Sequence, residues 1–272
     1  MAAPVERVLD SAERLGECPL WDEREQALWW VDIHAPAIKK FAGGKLAVYP
    51  MPERVGSIAL RAKRGLLAAM QTGVYIWQNP KLTLLARPAS HEVTHRFNDG
   101  RCDRAGRFWV GTMKDPEHTP TGSLYRIEKD GRSKTMKNGI KVPNSLAWSP
   151  DGRTMYFADS PRHKIWAFDC DAQSGAMSNE RLFAAPHPGF PDGSCVDADG
   201  CLWNAEYGAA RVVRYTPEGK IDRVIEVPAK EPTCCCFGGA QLDTLYVTSA
   251  NGAGLFSVRP GVTGLPESRF AG

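Results

Sequence analysis

One short β-rich segment recurs six times along the chain. It reads Leu28-Trp29-Trp30-Val31-Asp32, Leu66-Leu67-Ala68-Ala69-Met70, Phe108-Trp109-Val110-Gly111-Thr112, Met155-Tyr156-Phe157-Ala158-Asp159, Leu202-Trp203-Asn204-Ala205-Glu206 and Leu245-Tyr246-Val247-Thr248-Ser249. The starting residues 28, 66, 108, 155, 202 and 245 are separated by 38, 42, 47, 47 and 43 positions. A further strand pattern follows each copy, as in Ile38-Lys39-Lys40-Phe41 and Val212-Val213-Arg214-Tyr215. Several of these alternate apolar with polar residues, the mark of a half-buried strand. Most copies also have a short strand pattern ahead of them, such as Ser57-Ile58-Ala59-Leu60 and Ser145-Leu146-Ala147-Trp148. Units of this length match a four-stranded propeller blade, whose apolar faces are covered only by neighbouring blades. No helical period is sustained, and 26 Gly and 20 Pro punctuate the chain. The expected fold is therefore all-β: a single six-bladed β-propeller over residues 1–272. The strand around Val5-Glu6-Arg7-Val8-Leu9 is expected to pair into the last blade and close the ring, which hides sheet edges. A β-sandwich leaves the six-fold spacing unexplained.

Charge and composition exclude several classes. Net charge is +3 and the basic residues are scattered in short clusters such as Arg61-Ala62-Lys63-Arg64, so no nucleic-acid footprint is read. No apolar run reaches the length of a membrane span. Met1-Ala2-Ala3-Pro4 does not begin a secretory signal, and a cytoplasmic protein is expected. The eight cysteines contain no pair of CxxC motifs. Cys234, Cys235 and Cys236 would alternate faces in a strand, which keeps them from sharing one tetrahedral ion. They are read as reduced, buried packing residues. Oligomeric state leaves no mark in the sequence.

Four loops from four different repeats carry oxygen-bearing side chains beside Gly or Pro. They are Leu15-Gly16-Glu17-Cys18-Pro19, His95-Arg96-Phe97-Asn98-Asp99-Gly100, Val142-Pro143-Asn144-Ser145 and Gly189-Phe190-Pro191-Asp192-Gly193-Ser194. Taken singly, each is an ordinary turn, and Pro191-Asp192-Gly193 most plainly so. Glu17, Asn98, Asn144 and Asp192 nevertheless fall at similar points of their repeats, so they can converge on the axis. Two carboxylates with one or two amide oxygens form a hard-oxygen set suited to Ca²⁺, Mn²⁺ or Mg²⁺ and, less selectively, Zn²⁺ or Fe²⁺. An ion held by so few protein groups keeps positions open for water and substrate.

These loops resemble the signatures of the gluconolactonase family, which includes regucalcin (senescence marker protein) and luciferin-regenerating enzyme. Gly16-Glu17-Cys18-Pro19 is similar to the family's Gly-Glu-Gly-Pro, with Cys18 in place of the usual glycine. Arg96-Phe97-Asn98-Asp99-Gly100 with Asp103-Arg104-Ala105-Gly106-Arg107-Phe108-Trp109-Val110-Gly111-Thr112-Met113 resembles the central signature. Pro143-Asn144-Ser145-Leu146-Ala147-Trp148 and Pro191-Asp192-Gly193 resemble two more, in the family's order. The resemblance implies one divalent ion on the axis, held by Glu17, Asn144 and Asp192. It implies substrate contacts from Arg96 and Asn98, with Asp99 in the same site. In the loop Lys114-Asp115-Pro116-Glu117-His118, Glu117 is the candidate acid for sugar hydroxyls, with Asp115 behind it. The implied function is a metal-dependent lactonase that hydrolyses a sugar-acid lactone to the open-chain acid, with Asp192 also a candidate general base. The alternative is a non-catalytic calcium-binding propeller acting as a regulatory or binding module. A protein-interaction propeller of the WD-repeat kind would not depend on Glu17 or Asp192 at all.

The remaining chemistry-bearing residues are read as structural. None of the six histidines shows paired metal spacing, and His95 is expected to be a solvated loop residue. Ser145 and Ser194 lack a nucleophile elbow and are expected to serve turns. Asp32, Asp159 and Glu206 end recurring strands and are expected in solvent. The tryptophans are expected to be blade core, with one or two available as a pocket wall.

Overall fold

The computed structural model describes residues 4–272. Met1, Ala2 and Ala3, on which the reading of the N-terminus rests, lie outside the described residues. Among the described residues, twenty-four strands form six four-stranded antiparallel sheets. β1 (Glu6–Leu9) comes first. Blade 1 holds β2 (Gly16–Asp22), β3 (Ala27–Asp32), β4 (Ala37–Ala42) and β5 (Lys45–Pro50). Blade 2 holds β6 (Val55–Leu60), β7 (Leu66–Met70), β8 (Gly73–Gln78) and β9 (Lys81–Ala86). Blade 3 holds β10 (His95–Cys102), β11 (Phe108–Lys114), β12 (Gly122–Ile127) and β13 (Ser133–Ile140). Blade 4 holds β14 (Pro143–Trp148), β15 (Thr154–Asp159), β16 (Ile165–Cys170) and β17 (Met177–Ala184). Blade 5 holds β18 (Phe190–Val196), β19 (Leu202–Tyr207), β20 (Arg211–Tyr215) and β21 (Ile221–Glu226). Blade 6 holds β22 (Pro232–Gly238), β23 (Thr244–Ser249) and β24 (Leu255–Val258). The recurring segment of the sequence is the second strand of every blade.

β1 supplies the fourth strand of blade 6, pairing Glu6 with Ser257, Arg7 with Phe256 and Leu9 with Leu255. The ring is thus closed by the N-terminal strand. The apolar core divides into six wedges, each lying between neighbouring blades. Inner strands are buried on both faces and outermost strands are half solvated, which is why the outer strands carry alternating polar residues. Trp30, Trp109 and Trp203 sit fully buried in these wedges. Their indole N–H groups donate to Glu13 (3.0 Å), Asp103 (2.9 Å) and Asp197 (2.8 Å). Burying the ring therefore leaves no donor unpaired.

All eight cysteines are free and buried, and Cys234, Cys235 and Cys236 lie in inner strand β22. The acids that end recurring strands are not solvated, contrary to expectation. Asp32 accepts the backbone N–H groups of Arg14, Leu15 and Ala35, and Asp159 those of Lys141 and Val142. Glu206 pairs with Arg211 (2.6 Å) and accepts from the Tyr215 hydroxyl (2.8 Å). Each is buried because neighbouring segments cover it and bring donors: the chain entering the inner strand for Asp32 and Asp159, the following loop and strand for Glu206. At one end of the channel Glu267 pairs with Arg101 at 3.4 Å, and the opposite end opens into the cavity described next. No helix among the described residues is long and apolar enough to cross a membrane.

Candidate functional site

All six inner strands lose register with their second strands at the same level. The slips fall between Glu17 and Leu20, Val55 and Ser57, Phe97 and Gly100, Asn144 and Ala147, Pro191 and Ser194, and Pro232 and Cys234. A bulge re-aims the side chains at its position, and in four of the six blades it turns one of them toward a common cavity. Glu17, Asn98, Asn144 and Asp192 stand at these slips, are all buried, and line one cavity of about 430 Å³.

The polar groups form a connected network. Arg96 Nε donates to Asp115 Oδ2 (2.6 Å), and its Nη1 donates to Asn98 Oδ1 (2.6 Å). Asn98 Nδ2 donates to Asn144 Oδ1 (3.0 Å) and to the Pro143 carbonyl (2.9 Å). Asn144 Nδ2 donates to Ser160 Oγ (2.8 Å), which donates to the Pro191 carbonyl (2.6 Å). The chain of bonds runs from Arg96 to the residue before Asp192 and fixes which way each amide points. Glu17 Oε2 accepts the Cys18 backbone N–H (3.0 Å), whereas Asp192 Oδ1 is buried without any partner.

Electrostatics mark the same spot. Burial raises the Glu17 carboxyl pKa, and the Asp99 charge adds to it. Burial lifts Asp192 well above the usual carboxylate range, helped by the charges of Glu17 and Asp99. Two buried carboxyl groups facing each other cannot both ionise cheaply without a cation. Among the described residues no three His, Cys, Asp or Glu side chains form a metal-holding group. The set at this mouth is instead two carboxylates with amides.

Two site residues named from the sequence, Asp99 and Glu117, fall elsewhere. Asp99 lies below the cavity, where its Oδ2 accepts the Leu146 N–H (2.8 Å); burial pushes its pKa to about 6. Glu117 does not line the cavity: its side chain is 51% exposed and stands 3.8 Å from Lys114. Asp115 lines it, held below the usual carboxylate range by its hydrogen bond to His34, then by Arg96 and Arg54. The turn closed by the His118 N–H on the Lys114 carbonyl (2.8 Å) points Asp115 inward and Glu117 out. His95 is buried rather than solvated, with Nε2 2.8 Å from Thr121 Oγ1. Ser145 and Ser194 bond each other (2.6 Å) deeper in the channel.

No tryptophan lines the cavity; Met113, Pro161, Phe190 and Tyr207 supply its apolar wall. His34, Ser160, Tyr207 and Asn251 also line it and were not singled out from the sequence. A signal for them existed. Each follows or ends a recurring second strand, and those strands all end on the face where the inner strands begin.

Comparison with known proteins gives a consistent result. Residues 15–251 match the SMP-30/Gluconolactonase/LRE-like region. The chain is 36% identical to the 6-deoxy-6-sulfogluconolactonase of Pseudomonas putida, with 95% of each chain covered. It is 34% identical to the regucalcin of Xenopus laevis, with 98% of each covered. The solved regucalcin of Agrobacterium tumefaciens, described as a calcium-binding protein, superposes with a TM-score of 0.92 at 29% identity, over 98% of this chain and 97% of that one.

Proposed function

Since this chain belongs to the SMP-30/gluconolactonase/LRE-like family, we propose that it is a divalent-metal-dependent lactonase that opens a sugar-acid lactone to its acid. The observation that carries this is the meeting of Glu17, Asn144 and Asp192, from three blades, at one cavity where Asp192 Oδ1 has no partner. A buried, unpartnered carboxylate oxygen facing a second buried carboxyl fits a cation. Glu17, Asn144 and Asp192 would hold it, and their oxygens suit Ca²⁺, Mn²⁺ or Mg²⁺ while admitting Zn²⁺ and Fe²⁺. Bound there, such an ion supplies Lewis acidity toward a carbonyl oxygen and lowers the pKa of water.

The chain's own groups supply binding, orientation and proton transfer. Arg96, braced by Asp115 and Asn98, presents its remaining guanidinium edge to the lactone oxygens. That bracing lowers the entropy cost of orienting the substrate. Asp115 accepts from a sugar hydroxyl, and Asn98 keeps the Asn144 carbonyl oxygen turned toward the ligand side. Met113, Pro161 and Phe190 exclude bulk water. The Asp192 carboxylate, through whichever oxygen is not turned to the ion, takes the proton of the water that attacks the carbonyl carbon. The same proton then goes to the ring oxygen as the carbon–oxygen bond breaks, so the products are a carboxylic acid and a free hydroxyl. The eight unbonded, buried thiols fit a reducing, cytoplasmic setting.

The test uses metal-stripped protein reloaded with single divalent ions and a panel of aldonolactones. Hydrolysis above the spontaneous rate is expected only with an ion present. Asp192→Ala should lower metal content and cut the rate by roughly 10²-fold or more. No turnover of any lactone with any ion sinks the proposal. The calcium-binding description of the Agrobacterium relative favours one alternative, a cation-binding module without turnover. In that case Arg96→Ala leaves ion affinity unchanged and there is no lactone hydrolysis to lose.

A further inference from the structure

A second recess, of about 690 Å³, opens between blades 1 and 2. It lies at the far end of the inner strands. Gly56 packs on the backbone of Asn98 at the cavity end of β6, whereas Arg61 follows the other end of that strand, roughly 17 Å away at strand rise. The recess has one cationic wall. Arg24, Arg61, Lys63, Arg64 and Arg269 line it, against Asp22 and Glu25. Both acids are already taken: Asp22 pairs with Arg269 (2.5 Å) and Glu25 with Lys40 (2.6 Å). Among the described residues, Arg24, Lys63 and Arg64 have no carboxylate within ion-pair distance.

Arg61 is the anchor of this wall. It is only 6% exposed, and its Nη1 and Nη2 are taken by the main-chain oxygens of Arg64 (2.7 Å) and Gly272 (2.9 Å). Its Nε is buried with no partner. A buried guanidinium N–H with no acceptor is costly until one arrives. The opposite wall is aromatic. Trp29, Tyr49 and Trp77 form one cluster with ring centroids 5.1–6.1 Å apart, and the Trp29 indole N–H is likewise unpartnered.

We propose that this recess binds an organic phosphate, with the phosphate on Arg61, Lys63 and Arg64 and a ring-bearing remainder against Trp29, Tyr49 and Trp77. Guanidinium forks match phosphate oxygens in pairs, and adjacent cations favour a multiply charged group over a single carboxylate. The volume suits a mononucleotide-sized ligand. The site shares no residue with the lactonase cavity, so it stands whether or not that activity is found.

Calorimetric titration of the full chain with AMP, ADP, inorganic phosphate and adenosine tests it. AMP and ADP should bind more tightly than inorganic phosphate, and adenosine more weakly than either nucleotide. Lys63 and Arg64 are exposed, so the double variant K63E/R64E should fold normally and lose roughly tenfold or more in nucleotide affinity. Asp192→Ala should bind AMP as wild type does. Absence of binding at millimolar AMP and ADP overturns the proposal. So does adenosine binding as tightly as AMP, inorganic phosphate binding as tightly as AMP, or unchanged affinity in K63E/R64E.

Discussion

At Cys18 the backbone is left-handed, with φ +51°, although the residue has a β-carbon. Ser145 is the same, with φ +63°, directly after Asn144. Both residues lie in the bulge just past a proposed ligand, and the conformation costs a side-chain-bearing residue roughly 1–2 kcal/mol. The family's usual glycine at the first position is thereby explained. Cys18 offsets part of the cost, since its Sγ donates to the Ile58 carbonyl (3.3 Å) and accepts the Ile58 N–H (3.4 Å). Cys18→Ala should lose those contacts and keep the strain, while Cys18→Gly sheds the strain. Urea midpoints should therefore place the Gly variant about 1 kcal/mol above the Ala variant; the reverse order removes strain from the account. A second residue-scale test separates two acids. Asp115→Ala should lower kcat/KM roughly tenfold or more, about 1.4 kcal/mol, through a misplaced Arg96. Glu117→Ala should stay within about twofold, because a half-exposed charge contributes little. Equal losses in both variants would return Glu117 to the site. The sequence ranked these acids the other way because nothing periodic governs a loop. Which of two acids two positions apart points inward is decided by a turn hydrogen bond that residue types do not reveal.

The functional element is the bulged inner strand, and here legibility was uneven. Glu17, Asn98, Asn144 and Asp192 were recognisable as a set because the repeat gives each the same phase, and strand ends in phase share one face. The burial of Asp32, Asp159 and Glu206 was not recognisable, since a strand-ending acid looks the same whether or not neighbouring segments cover it. Close approach between inner strands is a further requirement. A β-carbon on Gly193 would stand 2.2 Å from Cys234 Sγ and 2.5 Å from its Cβ. Gly193→Ala must therefore push β18 away from β22 and carry Asp192 with it. Overpacking of this kind costs about 1–3 kcal/mol, and metal content should fall together with stability. Cys234→Gly in the same chain removes the two nearest obstructing atoms and leaves only the Cys234 Cα, at 2.9 Å. A double-mutant cycle on denaturation midpoints should show a favourable coupling; additive losses would mean that the close approach does not hold Asp192 in place.

On the scale of the whole molecule, six wedges of core depend on a ring that one short strand completes. β1 is four residues long and its register with β24 slips between Arg7 and Leu9. Arg7 also stands 5.6 Å over the Phe256 ring, covering the apolar face of the strand it pairs with. Without β1, β24 becomes an open edge whose N–H and C=O groups lie exposed next to the wedge between blades 6 and 1. Removing residues 1–9 should therefore lower stability by roughly 2–4 kcal/mol, the worth of a few ladder hydrogen bonds and the covered surface. For a chain of this size that is a fall in melting temperature of roughly 5–10 °C. The proposed ligands Glu17, Asn144 and Asp192 lie on the inner strands of blades 1, 4 and 5, none of them in the blade that loses β1. At temperatures where the truncated chain is folded, its metal content should equal that of the full chain. Its melting temperature should also depend on protein concentration, as exposed edges pair between molecules. A truncated chain that melts like the full one, at one temperature for all concentrations, would show that the inner strands alone hold the ring.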